Sequence, residues 1–433
     1  MMPVFLALAC AAPHLDALEC ACDAATAHGA RRCEGGACGP CLCLPLMAVA
    51  PDPPYDATFS VGPRDRLDWP AIDAALRAGS VRIDFGPGTY PERLDVLRTD
   101  LGPHRLLLDG GHHAAVVPGI LTPYDDIRRS RITVRGFEVT GSRDKGIYWR
   151  AGDEVILEDN VVHDNRGTPA INLEYANRTG LPSTSFVVRN NHVFNQPGEC
   201  IYIGGSEGED VDAHASVEIV NNLVHNCWNG WDSKHDAINV KDRIGRVTVA
   251  RNVVFETHWG IEVASPGWIA NNLVFDTQSN GLHLNDQWGT GLSGLTVVDT
   301  VVLRAGEHGA RVGADRLGAE GIVFSGFTVQ GSAEGGAVWA GESGVSASLD
   351  RIVLADNEVG LDGWGTVTLD VAACQVHGNE LDDDRSADGA ASGCDHERPG
   401  FGDLENPAGP DQTFFTDDDP WLVAGGAALP VDP

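Results

Sequence analysis

The segment SKHDAINVKD, Ser233 to Asp242, concentrates side chains that can transfer protons and bind cations. It holds two of the three lysines in a chain of 433 residues that otherwise uses arginine for positive charge. A neutral lysine amine can act as a base, whereas arginine stays protonated in proteins. Asp236 and Asp242 supply oxygen atoms of the kind that hard divalent cations prefer. The segment therefore brings together residue types that are suited to proton transfer and to cation binding.

A repeat between residues 130 and 365 determines the fold that must hold this segment. The first half of the repeat reads, for example, VILEDNVVHDN from Val155. The second half is a strand such as AINLEY from Ala170 or AINVKD from Ala237. The repeat has a period of about 20 to 31 residues. Each strand has a small residue first and apolar residues second and fourth. Alternation sends positions two and four inward and positions three and five outward. Because one unit encloses no core, the units must stack as coils of a solenoid.

Asparagine recurs at one turn of the repeat, and we interpret these residues as structural. The recurring residues are Asn160, Asn191, Asn222, Asn252 and Asn272. Asparagine tolerates the left-handed backbone conformation that tight turns need. Amides stacked from coil to coil are expected to form a hydrogen-bonded ladder.

These repeats resemble the right-handed parallel β-helix proteins of the pectate-lyase-like superfamily over roughly residues 67–375. The segment DWPAIDAALRAG, Asp68 to Gly79, is similar to the amphipathic helix that caps the open end of such solenoids, and VRIDFGPGTYPERLDV from Val81 is similar to a first coil. The resemblance implies an all-β chain, a single-stranded right-handed parallel β-helix (solenoid) with an N-terminal capping helix.

Composition divides the chain into five predicted segments. They are a signal peptide or lipoprotein signal (1–19), a Cys-rich module (20–45), a linker (46–66), the β-helix (67–380) and an acidic Gly/Pro-rich C-terminal tail (381–433). The six cysteines of the second segment suit a disulfide-stapled module in an oxidising compartment, with a zinc knuckle as the alternative. Cys10 lies in ALAC, which loosely resembles a lipobox. We therefore predict a bacterial protein that is secreted or held at the cell surface by a lipid anchor.

The formal charge of −32 limits the partners of the chain. Nucleic acids and anionic membranes both require a basic surface, so neither is an expected partner. No apolar run of 18 or more residues follows the N-terminal segment, so we predict no transmembrane segment. We also expect a monomeric protein. A polyanionic substrate would need a local cation to reverse the field.

Parallel stacking turns the outward positions into rows with about 4.8 Å between coils. The third position gives the row Tyr148, Asn172, Tyr202, Asn239, Glu262, His283, Arg311 and Val338. The fifth position gives the row Arg150, Glu174, Gly204, Lys241, Ala264, Asn285, Gly313 and Ala340. Polar residues crowd the middle coils, which is typical of a groove along one face, although a plain polar wall stays an alternative.

Several tryptophans lie in the turns beside these coils. Trp228, Trp231, Trp259 and Trp288 are placed to stack on sugar rings, although some of them can simply fill long turns. Trp149 and Trp339 are predicted to belong to the core, because both occupy the inward fourth position of a strand.

The order acid, strand, lysine in HDAINVKD is similar to that of calcium-dependent polysaccharide lyases of the alginate lyase and chondroitinase B type. The resemblance implies β-elimination on a uronate-containing glycan, with Lys241 removing the C5 proton and Ca²⁺ neutralising the carboxylate. Those lyases carry an arginine on the next coil, where this chain has Glu262, so only the lysine is carried over from the resemblance.

We therefore predict three groups of site residues. The catalytic residues are Lys241, Glu262 and His283, the last as an auxiliary acid or binding group. The Ca²⁺ ligands are Asp236, Asp242, Glu262 and Asp286. The polysaccharide-binding residues are Asn172, Glu174, Tyr202, Asn239, Asn285, Trp231, Trp259, Trp288 and Arg311.

Two other functions stay open at this level. One is a glycoside hydrolase that uses paired carboxylates, drawn from Asp236, Asp242, Glu262 and Asp286. The other is a non-catalytic surface protein whose groove binds glycan or serves in adhesion.

Overall fold

Short strands that pair with the strand one turn further along the chain make up nearly all the regular structure. The computed structural model describes residues 27–34, 37–96, 104–122, 131–150, 153–174, 185–204, 215–228, 235–241, 244–286, 292–314, 318–333, 336–385, 390–397, 407–408 and 412–415. The parallel strands wind as a right-handed β-helix, which confirms the predicted fold.

The elements follow one another regularly along the chain. They are β1 (Ala27–Glu34), β2 (Ala37–Pro45), β3 (Ala57–Val61), α1 (Trp69–Leu76), β4 (Val81–Phe85), β5 (Gly88–Thr89), β6 (Leu94–Asp95), β7 (Arg105–Asp109), β8 (Ala115–Val117), β9 (Ile120–Leu121), β10 (Arg131–Arg135), β11 (Phe137–Thr140), β12 (Ile147–Arg150), β13 (Glu154–Glu158), β14 (Val161–His163), β15 (Ile171–Glu174), β16 (Ser185–Arg189), β17 (His192–Gln196), β18 (Ile201–Ile203), β19 (Ser216–Val220), β20 (Leu223–Cys227), β21 (Asp236–Val240), β22 (Val247–Ala250), β23 (Val253–Phe255), β24 (Trp259–Val263), β25 (Gly267–Ala270), β26 (Leu273–Phe275), β27 (Leu282–Asp286), β28 (Leu292–Ser293), β29 (Leu295–Val298), β30 (Val301–Leu303), β31 (Ala310–Ala314), β32 (Ala319–Ser325), β33 (Thr328–Gln330), β34 (Gly336–Ala355), β35 (Val359–His377), β36 (Leu381–Arg385) and a 3₁₀ helix (Ala390–Gly393).

Each coil of the solenoid contributes strands to three faces. The first face contains β4, β7, β10, β13, β16, β19, β22, β25, β29 and β32. The second face contains β5, β8, β11, β14, β17, β20, β23, β26, β30 and β33. The third face contains β6, β9, β12, β15, β18, β21, β24, β27 and β31, and the long strands β34 and β35 continue the stack.

Alternating apolar side chains fill the interior of the coils. In β10, Ile132 and Val134 point inward and stack on Val155 and Leu157 of β13. Burying each such side chain contributes about 1.5–3 kcal/mol. Trp149 is fully buried in the same core, as its inward position predicts.

The short helix α1 caps the N-terminal end of the solenoid, as the sequence predicts. Asp68 precedes α1, and its Oδ1 accepts a hydrogen bond from the backbone N–H of Ala71 at 3.1 Å. Ile72 and Leu76 are buried against the core, so the helix covers the apolar end of the first coil. In the part of the chain that the structure describes, no helix is long and apolar enough to cross a lipid bilayer.

An asparagine ladder joins successive coils between the first and second faces. The Nδ2 groups of Asn160, Asn191, Asn222 and Asn252 each donate to Oδ1 of the next ladder residue at 3.0 Å, up to Asn272. The same Oδ1 atoms accept a backbone N–H from the preceding coil at 2.9–3.0 Å. All five asparagines are fully buried, which confirms their structural role.

The left-handed turn residue is not the ladder asparagine itself, so this detail of the prediction is wrong. Positive φ angles between 53° and 57° belong to the preceding residues, which are Asp159, Asn190, Asn221, Arg251 and Asn271. The chain turns at these residues, and the turn directs the next amide into the buried stack.

An antiparallel hairpin of β1 and β2 packs on the outer surface of the second face. Leu42 and Leu44 of β2 are buried against Phe275 and its neighbours, and Phe414 packs beside them. The backbone N–H of Phe414 donates to the carbonyl oxygen of Cys43 at 2.8 Å. Two segments that are distant in sequence thus cover one outer wall of the solenoid.

Aromatic rings of the second face stack beneath and beside this hairpin. The centroid distances are 4.8 Å for His163–Phe194, 5.2 Å for Phe194–His225, 4.7 Å for His225–Phe255 and 4.8 Å for Phe255–Phe275. Their ring planes lie within 7° of parallel, which buries large apolar surfaces against one another.

Three buried histidines lie at this contact. Nε2 of His28 in β1 donates a hydrogen bond to the carbonyl oxygen of Asn190 at 2.5 Å, and Nε2 of His192 lies 3.0 Å from Nε2 of His225. Burial lowers the pKa of His28 to about 4 and that of His225 to about 3. Burial, together with the neighbouring histidines, also lowers the pKa of His192 well below its ordinary value. The folded contact therefore holds neutral imidazoles.

Two disulfides lie within the described β-helix and its C-terminal end. Cys200, immediately before β18, bonds to Cys227 at the end of β20, and Cys374 of β35 bonds to Cys394.

Replacing Asn222 by alanine should lower the free energy of unfolding by about 2–5 kcal/mol, because buried groups of Asn191, Val188 and Asn252 lose their partners. Asn222→Thr should recover part of this loss, since Thr300 occupies the equivalent place at the end of the ladder. Chemical denaturation measures both variants. Equal stability of Asn222→Ala and the natural protein would contradict the structural role of the ladder.

The buried histidines His28 and His225 should lower the stability of the fold as the pH falls from 6.5 to about 3. The unfolded chain protonates histidine near pH 6.5, whereas the folded chain keeps His28 and His225 neutral to about pH 4 and about pH 3. Their contribution is therefore complete above pH 6.5 and is lost as the pH falls, by about 2 kcal/mol per histidine at pH 5. Thermal unfolding at pH 7 and pH 5 should show a smaller difference in His225→Phe. The exposed His396→Gln variant serves as the control and should behave like the natural protein.

Candidate functional site

The outward side chains of the third face form a continuous row, in the register that the repeat predicts. Successive members of the row are Tyr148, Asn172, Tyr202, Asn239, Glu262, His283, Arg311 and Trp339. The row thus gathers polar and aromatic side chains from eight coils.

The end of the predicted row is wrong by one residue. Arg311 pairs with Trp339, whereas Val338 pairs with Ala310 and is fully buried. The segment GAVWAG begins with two small residues, and the strand pattern starts at the second of them and not at the first. Every inward position is therefore shifted by one residue. Trp339 is therefore a partly exposed residue of the row and not a core residue.

The residue just before each strand also belongs to the third face. The small first residue of each strand, such as Cys200 or Ala237, is buried, and so is the residue that follows it. Two consecutive inward residues interrupt the alternation, so the side chain before them joins the outward row. This position holds Glu199 before β18 and Asp236 at the start of β21. Sequence reasoning selected Asp236 and missed Glu199. The equivalence of the two acids in adjacent coils was the available signal.

Asp236, Glu262 and His283 come together from three successive coils of the third face. One ligand atom from each lies within 4.8 Å of the others, and Nδ1 of His283 is 3.4 Å from Oε2 of Glu262. All three residues are buried, with Glu262 only 1% exposed. Nδ2 of Asn239 donates to Oδ2 of Asp236 at 2.7 Å, which fixes the orientation of that carboxyl group.

Burial and mutual repulsion divide the protonation of these two carboxyl groups. Burial, together with the charge of Glu262, raises the pKa of Asp236 well above its ordinary value. Burial also acts to raise the pKa of Glu262, but the hydrogen bond and charge of His283 and the charge of Lys241 lower it to about 2. The pKa of Asp236 thus lies well above that of Glu262, so Asp236 is the carboxyl group of the pair that takes up a proton first.

Glu199 lies beside the same cluster. Its Oε1 accepts a hydrogen bond from Nδ2 of Asn239 at 3.3 Å. Burial raises the pKa of Glu199 to about 7, and the charge of Lys241 opposes this increase. A carboxyl group of this kind can exchange a proton near neutral pH.

Lys241 lies at the predicted outward position immediately after β21. Its Nζ is 3.6 Å from Oε1 of Glu262 and 5.4 Å from the centre of the Tyr202 ring. Its aliphatic part crosses the backbone of Gly204, which is the residue at the same position one coil earlier. Only 8% of Lys241 is exposed, so the amine lies at the floor of the face beside the carboxylates.

Aromatic rings continue from this cluster toward the solvent. The indole of Trp259 meets the ring of His283 edge-on at 4.8 Å and stacks with His258 at 5.8 Å. The ring of Trp228 stacks on His258 at 6.4 Å and is 36% exposed. On the coil after His283, the guanidinium of Arg311 lies 4.9 Å from the centre of the Trp339 ring.

Glu174 and Asn172 lie on the face as predicted, but they belong to a separate network. Glu174 accepts hydrogen bonds from Lys145 at 3.0 Å, from the hydroxyl of Tyr148 at 2.7 Å and from Nδ2 of Asn172 at 3.1 Å. This network lies two to three coils before Lys241.

The remaining predicted residues are placed as follows. Asn285 is buried on β27, beside His283 on the same outward side. Asp242, Trp231 and Trp288, and the side chain of Asp286, lie outside the described residues, so their predicted roles stay predictions.

Comparison with known sequences agrees with the fold. Residues 119–254 match the family model for the right-handed β-helix region. The search of curated proteins gave no match.

Several solved structures are similar to the chain at low identity. The pectate lyase Pel9A shares 12% identity with a TM-score of 0.45, over 87% of this chain and 91% of that one. A mannuronic acid specific polysaccharide family 6 lyase from human gut microbiota shares 10% identity with a TM-score of 0.32, over 78% and 88%. The A-module of the Azotobacter vinelandii mannuronan C-5 epimerase AlgE6 shares 14% identity with a TM-score of 0.28, over 73% and 90%.

Gly204→Ala should displace Lys241 and lower the free energy of unfolding by about 1–3 kcal/mol. A Cβ atom at residue 204 would stand 2.5 Å from Cγ and 2.7 Å from Cβ of Lys241. Gly313→Ala is the matched control on the same face, because its nearest neighbour would be a Trp339 ring atom at 3.4 Å. Thermal unfolding compares the two variants. An equal effect of both would show that Lys241 does not depend on the space above Gly204.

Proposed function

We propose that this right-handed parallel β-helix is a carbohydrate-active enzyme of the polysaccharide lyase type, which cleaves a uronate-containing glycan by β-elimination. The observation that supports it best is a nearly buried lysine amine 3.6 Å from an ionised glutamate, beside a second carboxyl group and an imidazole. The extracellular location predicted from the N-terminal residues is part of the proposal, because those residues lie outside the described chain.

The middle coils of the third face are suited to bind a polar ligand. Among the described residues, buried side-chain atoms without a hydrogen-bond partner collect here, namely Oδ1 of Asp236, Asn239 and Asn285, Nε1 of Trp259, Nε of Arg311 and both amide atoms of Asn280. Leaving such a group unpaired costs about 1–3 kcal/mol, so a protein rarely keeps many of them without a ligand or water to satisfy them. Sugar hydroxyl and carboxylate groups provide both donors and acceptors.

Exposed aromatic surface lies next to these polar atoms. Trp228 and Trp259 flank the groove with His258 between them, and sugar rings stack on indole faces through their apolar C–H surface. Arg311 lies one coil beyond His283 and forms no ion pair with any described residue, so its guanidinium is available for a substrate carboxylate.

Lys241 is the proposed base of the elimination. The amine takes the C5 proton of the uronate, the electrons of the C5–H bond form the C4–C5 double bond, and the C4–O bond breaks. The leaving oxygen then needs a proton, and the carboxyl group of Glu199 is the proposed donor, since its pKa of about 7 leaves it partly protonated at neutral pH.

The carboxylates around Lys241 fit a divalent cation. Asp236 and Glu262 face each other in a buried place, which needs a proton or a metal ion between them. A bound dication would supply positive charge to neutralise the substrate carboxylate.

Hydrolysis by paired carboxylates fits this site less well. Glycosidases keep their two carboxyl groups about 5 to 9.5 Å apart, to make room for the anomeric carbon or a water molecule. Asp236 and Glu262 are close enough to share a hydrogen bond, so they do not provide that space.

Lys241→Ala should lower elimination by at least about 100-fold, because it removes the general base. Lys241→Arg should be equally inactive, since a guanidinium keeps its proton. Lys145→Arg, which retains the ion pair with Glu174, is the matched exchange at another lysine of the same face and should keep activity. The assay measures ultraviolet absorbance of unsaturated uronate products from a panel of uronate polysaccharides.

Three outcomes would count against the proposal. Activity retained by Lys241→Arg would show that residue 241 contributes charge and not proton transfer. New reducing ends without unsaturated products would indicate a hydrolase. No turnover of any polymer would leave the third face as a surface that only binds glycan.

A further inference from the structure

The donor atoms around Asp236 differ from those of a calcium site. The described cluster offers two carboxylates and one imidazole, from Asp236, Glu262 and His283. Ca²⁺ takes six to eight oxygen ligands, and imidazole nitrogen is instead a preferred ligand of Zn²⁺ and neighbouring first-row metals. The nature of the donors therefore points away from the predicted Ca²⁺.

Unsatisfied buried oxygens provide a second, independent sign of a missing cation. Oδ1 of Asp236 and Oδ1 of Asn239 are buried without a hydrogen-bond donor among the described residues, and these residues are 2% and 1% exposed. Nδ2 of Asn239 holds the other oxygen of Asp236 at 2.7 Å, so the carboxyl group cannot turn away from Glu262 without breaking that bond.

We propose that Asp236, Glu262 and His283 bind a divalent first-row transition-metal ion, such as Zn²⁺ or Mn²⁺, in preference to Ca²⁺. The proposal deepens the proposed function, on which it rests for the use of the ion, since it names the cation of the same site. Three protein ligands leave a coordination position for an oxygen of the substrate, as in catalytic metal sites. Two carboxylates also match the charge of one dication.

The neighbouring residues support such an ion without being ligands. Asn239 orients Asp236 as an outer partner, in the way that hydrogen bonds around metal sites hold the ligands in place. The edge-on ring of Trp259, 4.8 Å from His283, restricts the rotation of the imidazole. Nδ1 of His283 lies 3.4 Å from Oε2 of Glu262, a separation that a single ion about 2.0–2.2 Å from each atom can bridge.

Titration calorimetry of the metal-free full-length protein with Zn²⁺, Mn²⁺ and Ca²⁺, without substrate, tests the proposal. One equivalent of Zn²⁺ or Mn²⁺ should bind at least about 10-fold more tightly than Ca²⁺. His283→Gln should weaken that equivalent by at least about 100-fold, beyond the usual effect of an outer partner. His258→Gln removes an adjacent imidazole outside the ligand set and is the matched control, with unchanged affinity expected.

A second variant separates the choice of metal from a loss of folding. His283→Asp converts the set to oxygen donors only, and it should lose Zn²⁺ affinity while gaining Ca²⁺ affinity. Thermal unfolding of the variants confirms that they are folded. The visible absorption of bound Co²⁺ should report a nitrogen and oxygen environment in the natural protein and should change in His283→Asp.

Three results would overturn the proposal. They are Ca²⁺ bound as tightly as Zn²⁺ and Mn²⁺, transition-metal affinity unchanged in His283→Gln, or no dication bound at millimolar concentration. Zinc bound elsewhere in the chain would appear as a second equivalent, which persists in His283→Gln while the first is weakened. The Lys241→Ala variant distinguishes the two proposals, since it should lose elimination and retain the metal.

Discussion

In-register stacking of the coils is the constraint on which every site residue depends. Asp236, Glu262 and His283 lie on three different coils, and they meet because parallel strands place equivalent positions about 4.8 Å apart. The asparagine ladder fixes this register from inside, since each Oδ1 accepts both an amide and a backbone N–H from the preceding coil. A slip of one residue would turn every outward side chain of the third face into the core.

The third face keeps polar groups that stability alone would not select. An apolar replacement of a buried ion pair such as Lys241 and Glu262 is often neutral or stabilising in proteins, and unpartnered amide atoms such as those of Asn280 are costly. A solenoid tolerates this cost because each coil contacts only its neighbours, and its interior and other faces supply the cohesion. Conflict between local stability and retained polarity is expected where a protein binds a ligand.

The sequence predicts the parts of the structure that repeat from coil to coil, and the prediction fails where the repeat pattern is interrupted. The repeated strands predicted the solenoid and the neighbours of Lys241, because both depend on local pattern and coil spacing, and the segment Asp68 to Gly79 predicted the capping helix. Trp339 was assigned inward, since two consecutive small residues obscured the start of its strand. Glu199 was missed because alternation breaks at the buried Cys200. The contact of β2 with Phe414 joins opposite ends of the chain, and no repeat reports such a contact.

Histidine shows how the faces assign different chemistry to one residue type. His225 stacks between Phe194 and Phe255 under the hairpin, where burial lowers its pKa to about 3 and keeps it a neutral aromatic ring. His283 instead meets the carboxylate of Glu262 on a face that the described hairpin leaves uncovered. The side chain is the same, but only the second position combines an anion, a neighbouring acid and access for a ligand. Placement on a particular face, which follows from strand register, therefore decides which histidine can take part in chemistry.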